Sequence, residues 1–209
     1  MIIDMHVHEM NGSLDSQLKI EEAIGEAEFK NIDGLCFTDH DSLYLKERIL
    51  KYQKKTDILL IVGVEIHSLD GDILCYGINE LPIKRLSAKE TIDFVHKRDG
   101  VCIAAHPYRN NNRGLEDKIM HLKGLDAIEV LNGRTLPVNN DKAYKKAQYN
   151  HLKLCGGSDA HQKGEVGKMA TYFDIKIKNE FDFINAIKNE KFYPINLSEK
   201  ENIKIEKVV

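Results

Sequence analysis

The chain has 209 residues, 42% hydrophobic and 30% charged, enough for one sizeable core and with no shift in composition that would mark a second domain. A formal net charge of -3 excludes the basic excess that duplex-binding surfaces usually carry, and no apolar run approaches the roughly 20 residues of a membrane span. The expectation is one domain over residues 1–209, with neither duplex nucleic acid nor a membrane as its partner.

The opening stretch MIIDMHVH does not read as a signal peptide, because Asp4, His6 and His8 interrupt its apolar start. In an extended strand, residues i, i+2 and i+4 share a face, which predicts these three side chains on one side. Two neutral imidazoles so spaced can close on one divalent cation at about 2.0–2.1 Å. Cys36, Cys75, Cys102 and Cys155 form no CxxC pair, and each lies in an apolar stretch. They read as buried, reduced thiols of a cytoplasmic protein.

Ile20, Ala23, Ile24 and Ala27 then recur at helical spacing, and IDGLCFTDHD is an apolar run ending in polar residues. Ser42 opens a second predicted helix with a stripe of Leu45, Ile49 and Tyr52. DILLIVGVEIHS reads as one buried strand, and the turn LDGD returns ILCYGI as its hairpin partner. Ser87 and Glu90 form a capping box before TIDFVHKRD, which Gly100 ends ahead of the strand VCIAAHPYR. There follow a helix around LEDKIMHL, the strand LDAIEVLNG, a helix over about 139–149 and the strand LKLCGGSDAH. MATYFDIKI is a strand, Asn179 caps FDFINAIKN, and FYPINL leads into a charged tail.

Repeated strand–helix units predict a parallel α/β sheet or barrel. Six apolar runs end in ligand-type residues: His6 with His8, Asp39 with His40, Glu65, His106, Glu129 with Asn132, and Asp159 with His161. A barrel brings the carboxyl ends of its parallel strands to one mouth, whereas an open sheet spreads them along a line. Closure is the better expectation.

DMHVH, TDHD, GVEI, AHP and GSDAH, in that order and from Met1 to about Lys168, resemble the motifs of the polymerase and histidinol phosphatase (PHP) superfamily of metal-dependent phosphoesterases. The resemblance implies a distorted (β/α)7 barrel with two or three divalent metals, Zn, Mn or Fe, at its mouth. It implies His6, His8, His40, Glu65, His106, Asp159 and His161 as ligands, with Glu65 bridging two metals and Asp15 as a further carboxylate. Asp72 stands where many relatives have a histidine, so a ligand role there rests on a different donor. His67, two residues after Glu65, has no motif match.

Asp4 and Asp39 each precede a ligand histidine closely enough to accept its free ring N–H. Arg109 and Arg134 are expected in loops at the mouth, where a planar guanidinium fork suits phosphate oxygens, with Asn132 beside them. Together these residues point to hydrolysis of a phosphate ester by metal-activated water, with Glu65 bridging the metals and His106 or His161 available to protonate the leaving oxygen. A phosphatase acting on a small metabolite or nucleotide fits the acidic balance best. An exonuclease on short single strands, an amidohydrolase-type C–N hydrolase and a non-catalytic metal-binding module are the alternatives.

Overall fold

The computed structural model describes residues 1–149 and 151–198; the charged tail lies outside them. Its strands fall into two mixed sheets. One runs β10 (Phe192–Asn196), β9 (Met169–Phe173), β1 (Ile2–Val7), β2 (Gly34–Phe37), β3 (Leu59–Val62). The other runs β4 (Val64–His67), β5 (Asp72–Tyr76), β6 (Val101–Ala104), β7 (Ala127–Asn132), β8 (Leu154–Gly157). β1, β2 and β3 are parallel, as are β6, β7 and β8, while β5 runs against both of its neighbours and β9 against both of its own. The arrangement is mixed α/β: the antiparallel β4–β5 hairpin was expected, and the antiparallel pairing of β9 departs from the parallel strand–helix pattern.

The predicted DILLIVGVEIHS strand is two strands in different sheets, divided at Gly63. A Cβ there would lie 2.5 Å from the Tyr76 ring and 2.7 Å from the Cys75 carbonyl oxygen, so only glycine lets the chain pass this close to β5 as it changes sheet. The LDGD hairpin is present, pairing Glu65 with Leu74 and His67 with Asp72.

Ile3, Met5, Cys36 and Leu59 from the first sheet meet Leu74, Val101, Ala127 and Cys155 from the second in a shared interior. Phe183 and Ile187 of α5 (Glu180–Asn189) close that interior at the amino ends of the parallel strands, α5 being capped by the Asn179 side chain as expected. The outer faces are covered by α1 (Ile20–Phe29) on the first sheet, and by α3 (Ala88–His96) with α4 (Pro137–Tyr149) on the second. Ser87 and Glu90 make the predicted capping box.

Two helices fall short of expectation. The Ser42 segment is helical only over α2 (Ile49–Gln53), and LEDKIMHL forms a 3-10 turn, Glu116–Met120. In both, some amides reach back three residues, as in Lys46 to Leu43 and Lys118 to Leu115, beside others that reach back four. Leu45, Ile49 and Ile119 are buried all the same. An apolar stripe is satisfied by either winding, and so does not choose between them. All four cysteines are buried and unpaired by disulfides. Among the described residues, no helix is long and apolar enough to cross a membrane.

Two isolated bridges, Val7 to Ala160 and His40 to Glu65, tie the sheets together at the carboxyl ends of the parallel strands. The polar residues at those strand ends are thereby gathered into one place.

Candidate metal centre

His6, on β1, and His8, just past it, both point inward because β1 is irregular. Its register against β2 shifts between Asp4 and Val7, which breaks strict alternation. Ile3 and Met5 face the shared interior, yet His6, the next residue, faces the centre. Asp4 is therefore separated from the two histidines, contrary to the prediction from simple alternation. It accepts backbone N–H groups of Ser158 and Gly167, both at 2.8 Å, rather than a ring N–H. Burial pushes its carboxyl up to about 6 despite those hydrogen bonds.

The ring nitrogens can be assigned from their partners. His6 Nδ1 lies 3.0 Å from Glu129 Oε1, a carboxylate that can only accept, so Nδ1 carries the hydrogen. His8 Nδ1 lies 3.0 Å from Ser13 Oγ, and that hydroxyl donates to Asp39 Oδ1 at 2.9 Å, so His8 Nδ1 again carries the hydrogen. Asp39 thus acts on His8 through Ser13 instead of touching the ring. The two Nε2 lone pairs are left facing each other at 2.9 Å, with no proton between them. Two metal–nitrogen bonds of about 2.1 Å at about a right angle would place the nitrogens about 3 Å apart. This arrangement is repulsive without a cation and ordinary with one.

Glu65, on β4, is fully buried among the histidines. Its Oε2 lies 2.9 Å from His40 Nδ1, 3.3 Å from His8 Nε2 and 3.5 Å from His6 Nε2, yet no donor is aligned to it. His106 Nε2 stands 2.8 Å from Oε1, while its Nδ1 is also without a partner. Orphaned polar atoms at this depth are costly, and a bound cation is the simplest way to satisfy them.

Four overlapping groups bring donor atoms within 4.8 Å of one another: His8, His40 and His161; His6, His106 and Asp159; His6, His8 and Glu65; Glu65, Asp72 and His106. The donor set of imidazoles and carboxylates fits borderline divalent ions such as Zn, Mn or Fe. His106 and Asp159 have φ of 28° and 55°, uncommon values for non-glycine residues and of the kind that collects at functional sites.

Asp15 is 57% exposed, with Oδ2 3.3 Å from both His40 Nε2 and His161 Nε2, at the rim of the first group. His161 Nδ1 lies 2.9 Å from the Asp159 carbonyl oxygen, leaving Nε2 for the centre. Burial lowers its imidazole to about 4. Arg109 is paired with Asp159 Oδ2, and Arg134 is exposed on the loop after β7. Asn132 is buried. A second register shift, between Glu129 and Leu131, sets its amide 3.1 Å from Glu129 Oε2 and 3.2 Å from Asp159 Oδ2. It holds two carboxylates in place.

Glu129, at the end of an apolar run, grips both the His6 ring at 3.0 Å and the His106 backbone N–H at 2.8 Å, whereas Ser13 was not legible as support for a ligand. Nor was Arg113, which meets Asp72 at 2.7 Å. His67 lies outside the cluster with Nδ1 2.7 Å from Asp72 Oδ1, and His96 pairs with Asp126 on α3, away from the centre.

Fold and site thus define a protein whose strand carboxyl ends gather a cluster of imidazole and carboxylate groups of the kind that holds divalent metal. A protein of Methanocaldococcus jannaschii is 30% identical over 141 residues, spanning 63% of this chain and 82% of its own length. A Caldicellulosiruptor bescii protein named "Probable phosphatase" is 26% identical over 205 residues, spanning 79% and 82%. The family model described as PHP-associated matches residues 137–192. In structure, the chain is similar to PsfC from Pseudomonas syringae, with a TM-score of 0.73 at 18% identity over 93% of this chain and 91% of that one. It is also similar to the lesion-specific endonuclease PfuEndoQ from Pyrococcus furiosus, with a TM-score of 0.67 at 16% identity over 90% and 55%. The chain belongs to the PHP superfamily.

Proposed function

We propose that this metal-dependent phosphoesterase is a phosphatase acting on a small phosphorylated metabolite or nucleotide. The observation that carries the reading is the facing pair of His6 and His8 Nε2 atoms, 2.9 Å apart, beside the unpartnered Glu65 Oε2. The ligands on this reading are His6, His8, His40, Glu65, His106, Asp159 and His161, with Asp15 at the rim. When bound there, divalent ions acidify a coordinated water and neutralise charge on phosphoryl oxygens.

The chain's own groups do the rest. Glu129 and Ser13 fix the tautomers of His6 and His8, so that both present lone pairs inward. Asn132 orients Asp159, and Arg109 sits on the same carboxylate, close enough to turn its fork toward a phosphate held at the centre. Arg134 adds exposed positive charge at the mouth. No serine or cysteine nucleophile is needed, because the chemistry calls for water. The same reading takes the two sheets as halves of a distorted barrel of the PHP type, supported by their shared interior and by the two bridges at the site end.

The net charge of -3 favours a small substrate over a duplex. The test is phosphate release by the purified chain across nucleotides, sugar phosphates, short single-stranded oligonucleotides and an amide and lactam set. Release from one or more monophosphate esters, with oligonucleotides and amides untouched, is expected. Cleavage confined to oligonucleotides would move the assignment to a nuclease, and cleavage confined to C–N bonds to an amidohydrolase.

A further inference from the structure

Asp72 opens β5 at the edge of the centre, with Oδ2 4.0 Å from His106 Nε2, and it is 1% exposed. Both of its oxygens are engaged from outside the cluster. Arg113 sets Nε 2.7 Å from Oδ2 and Nη2 3.3 Å from Oδ1, gripping the carboxylate with two prongs. His67 Nδ1 stands 2.7 Å from Oδ1. The other ring nitrogen of His67 faces the Arg85 guanidinium, which can only donate, so the hydrogen of His67 sits on Nδ1 and points at Asp72. Arg113 Nη2 also lies 3.4 Å from His40 Nδ1. The guanidinium is thus wedged between Asp72 and His40, against the corner formed by Glu65, Asp72 and His106.

This placement is built into the backbone. The Asp72 N–H donates to the Arg113 carbonyl oxygen at 2.7 Å, so strand β5 holds the same residue by main chain and side chain. Two glycines let the turns meet. A Cβ on Gly71 would lie 2.7 Å from the Leu115 nitrogen, and one on Gly114 would lie 2.2 Å from the Pro107 carbonyl oxygen.

We infer that Arg113 stands in for a third cation: the centre takes two divalent ions, and Asp72 binds the guanidinium in place of a metal. The inference rests on the metal-centre reading above. Guanidinium does not lose its proton in proteins, so its charge is permanent, and a divalent ion at the Glu65–Asp72–His106 corner would have to evict it or sit against a like charge. The result is a fixed positive charge beside Asp72, in addition to the Arg109 charge beside Asp159.

The test is metal content per chain, by mass spectrometry after equilibration with excess Mn or Zn and removal of free ion, with circular dichroism to verify folding. Two ions are expected in the wild type and still two in Asp72→Asn, whereas Arg113→Met, uncharged and of similar reach, rises toward three. Three ions in the wild type falling to two in Asp72→Asn would overturn the inference, as would an Arg113→Met chain that stays at two. A folded chain holding no metal at all would instead overturn the metal-centre reading, so the two failures are told apart.

Discussion

Glu65→Gln is expected to lower kcat on a phosphate ester by about three orders of magnitude or more, which corresponds to about 4 kcal/mol of transition-state stabilisation. The change is a single atom in size, so packing is preserved while the chemistry is not. Glu65 Oε2 lies within 3.5 Å of ring nitrogens from His6, His8 and His40, and Oε1 lies 2.8 Å from His106. A carboxylate there can bridge two cations and balance their charge. An amide supplies one neutral oxygen and turns two N–H donors toward the centre. Metal content should fall with turnover, and steady-state kinetics beside metal analysis would check both. Wild-type kcat in a variant that has lost metal would break the link between them.

Glu129→Gln is expected to weaken metal binding by about 10–100-fold, though Glu129 touches no metal on this reading. Its Oε1 orients the His6 ring, while Oε2 accepts the His106 backbone N–H at 2.8 Å and the Asn132 amide at 3.1 Å. The wild-type carboxylate therefore accepts from three donors. A glutamine can satisfy those on one oxygen only, and its own N–H2 must face the rest. His6 or His106 then rotates out of place, and the effect appears first in metal affinity. Titration of metal-free protein with Zn or Mn would measure it. Equal affinities for variant and wild type would show that Glu129 serves packing alone.

Much of the cluster is visible in the order of residues because each of its side chains follows an apolar run, and parallel strands put their carboxyl ends together. The convergence of His6, His8, Glu65, His106, Asp159 and His161 is legible for that reason. Asp4 is misread because a one-residue irregularity in β1 reverses its side, and pairing irregularities leave little trace in a single strand's pattern. Arg113 sits in a loop, NNNRG, whose path depends on how Gly71 and Gly114 allow two turns to touch, a long-range contact invisible to local propensity. The mixed strand directions have the same origin. The LDGD turn is legible as punctuation, but not that the chain changes sheet at Gly63.

The most direct test of the central claim is phosphate release by protein stripped of metal with a chelator and then reconstituted with Zn, Mn or Fe. The account predicts no release from the stripped chain and recovery with at least one of these ions. Equal release before and after stripping would contradict it, as would a fully metallated chain that hydrolyses no phosphate ester in a broad panel.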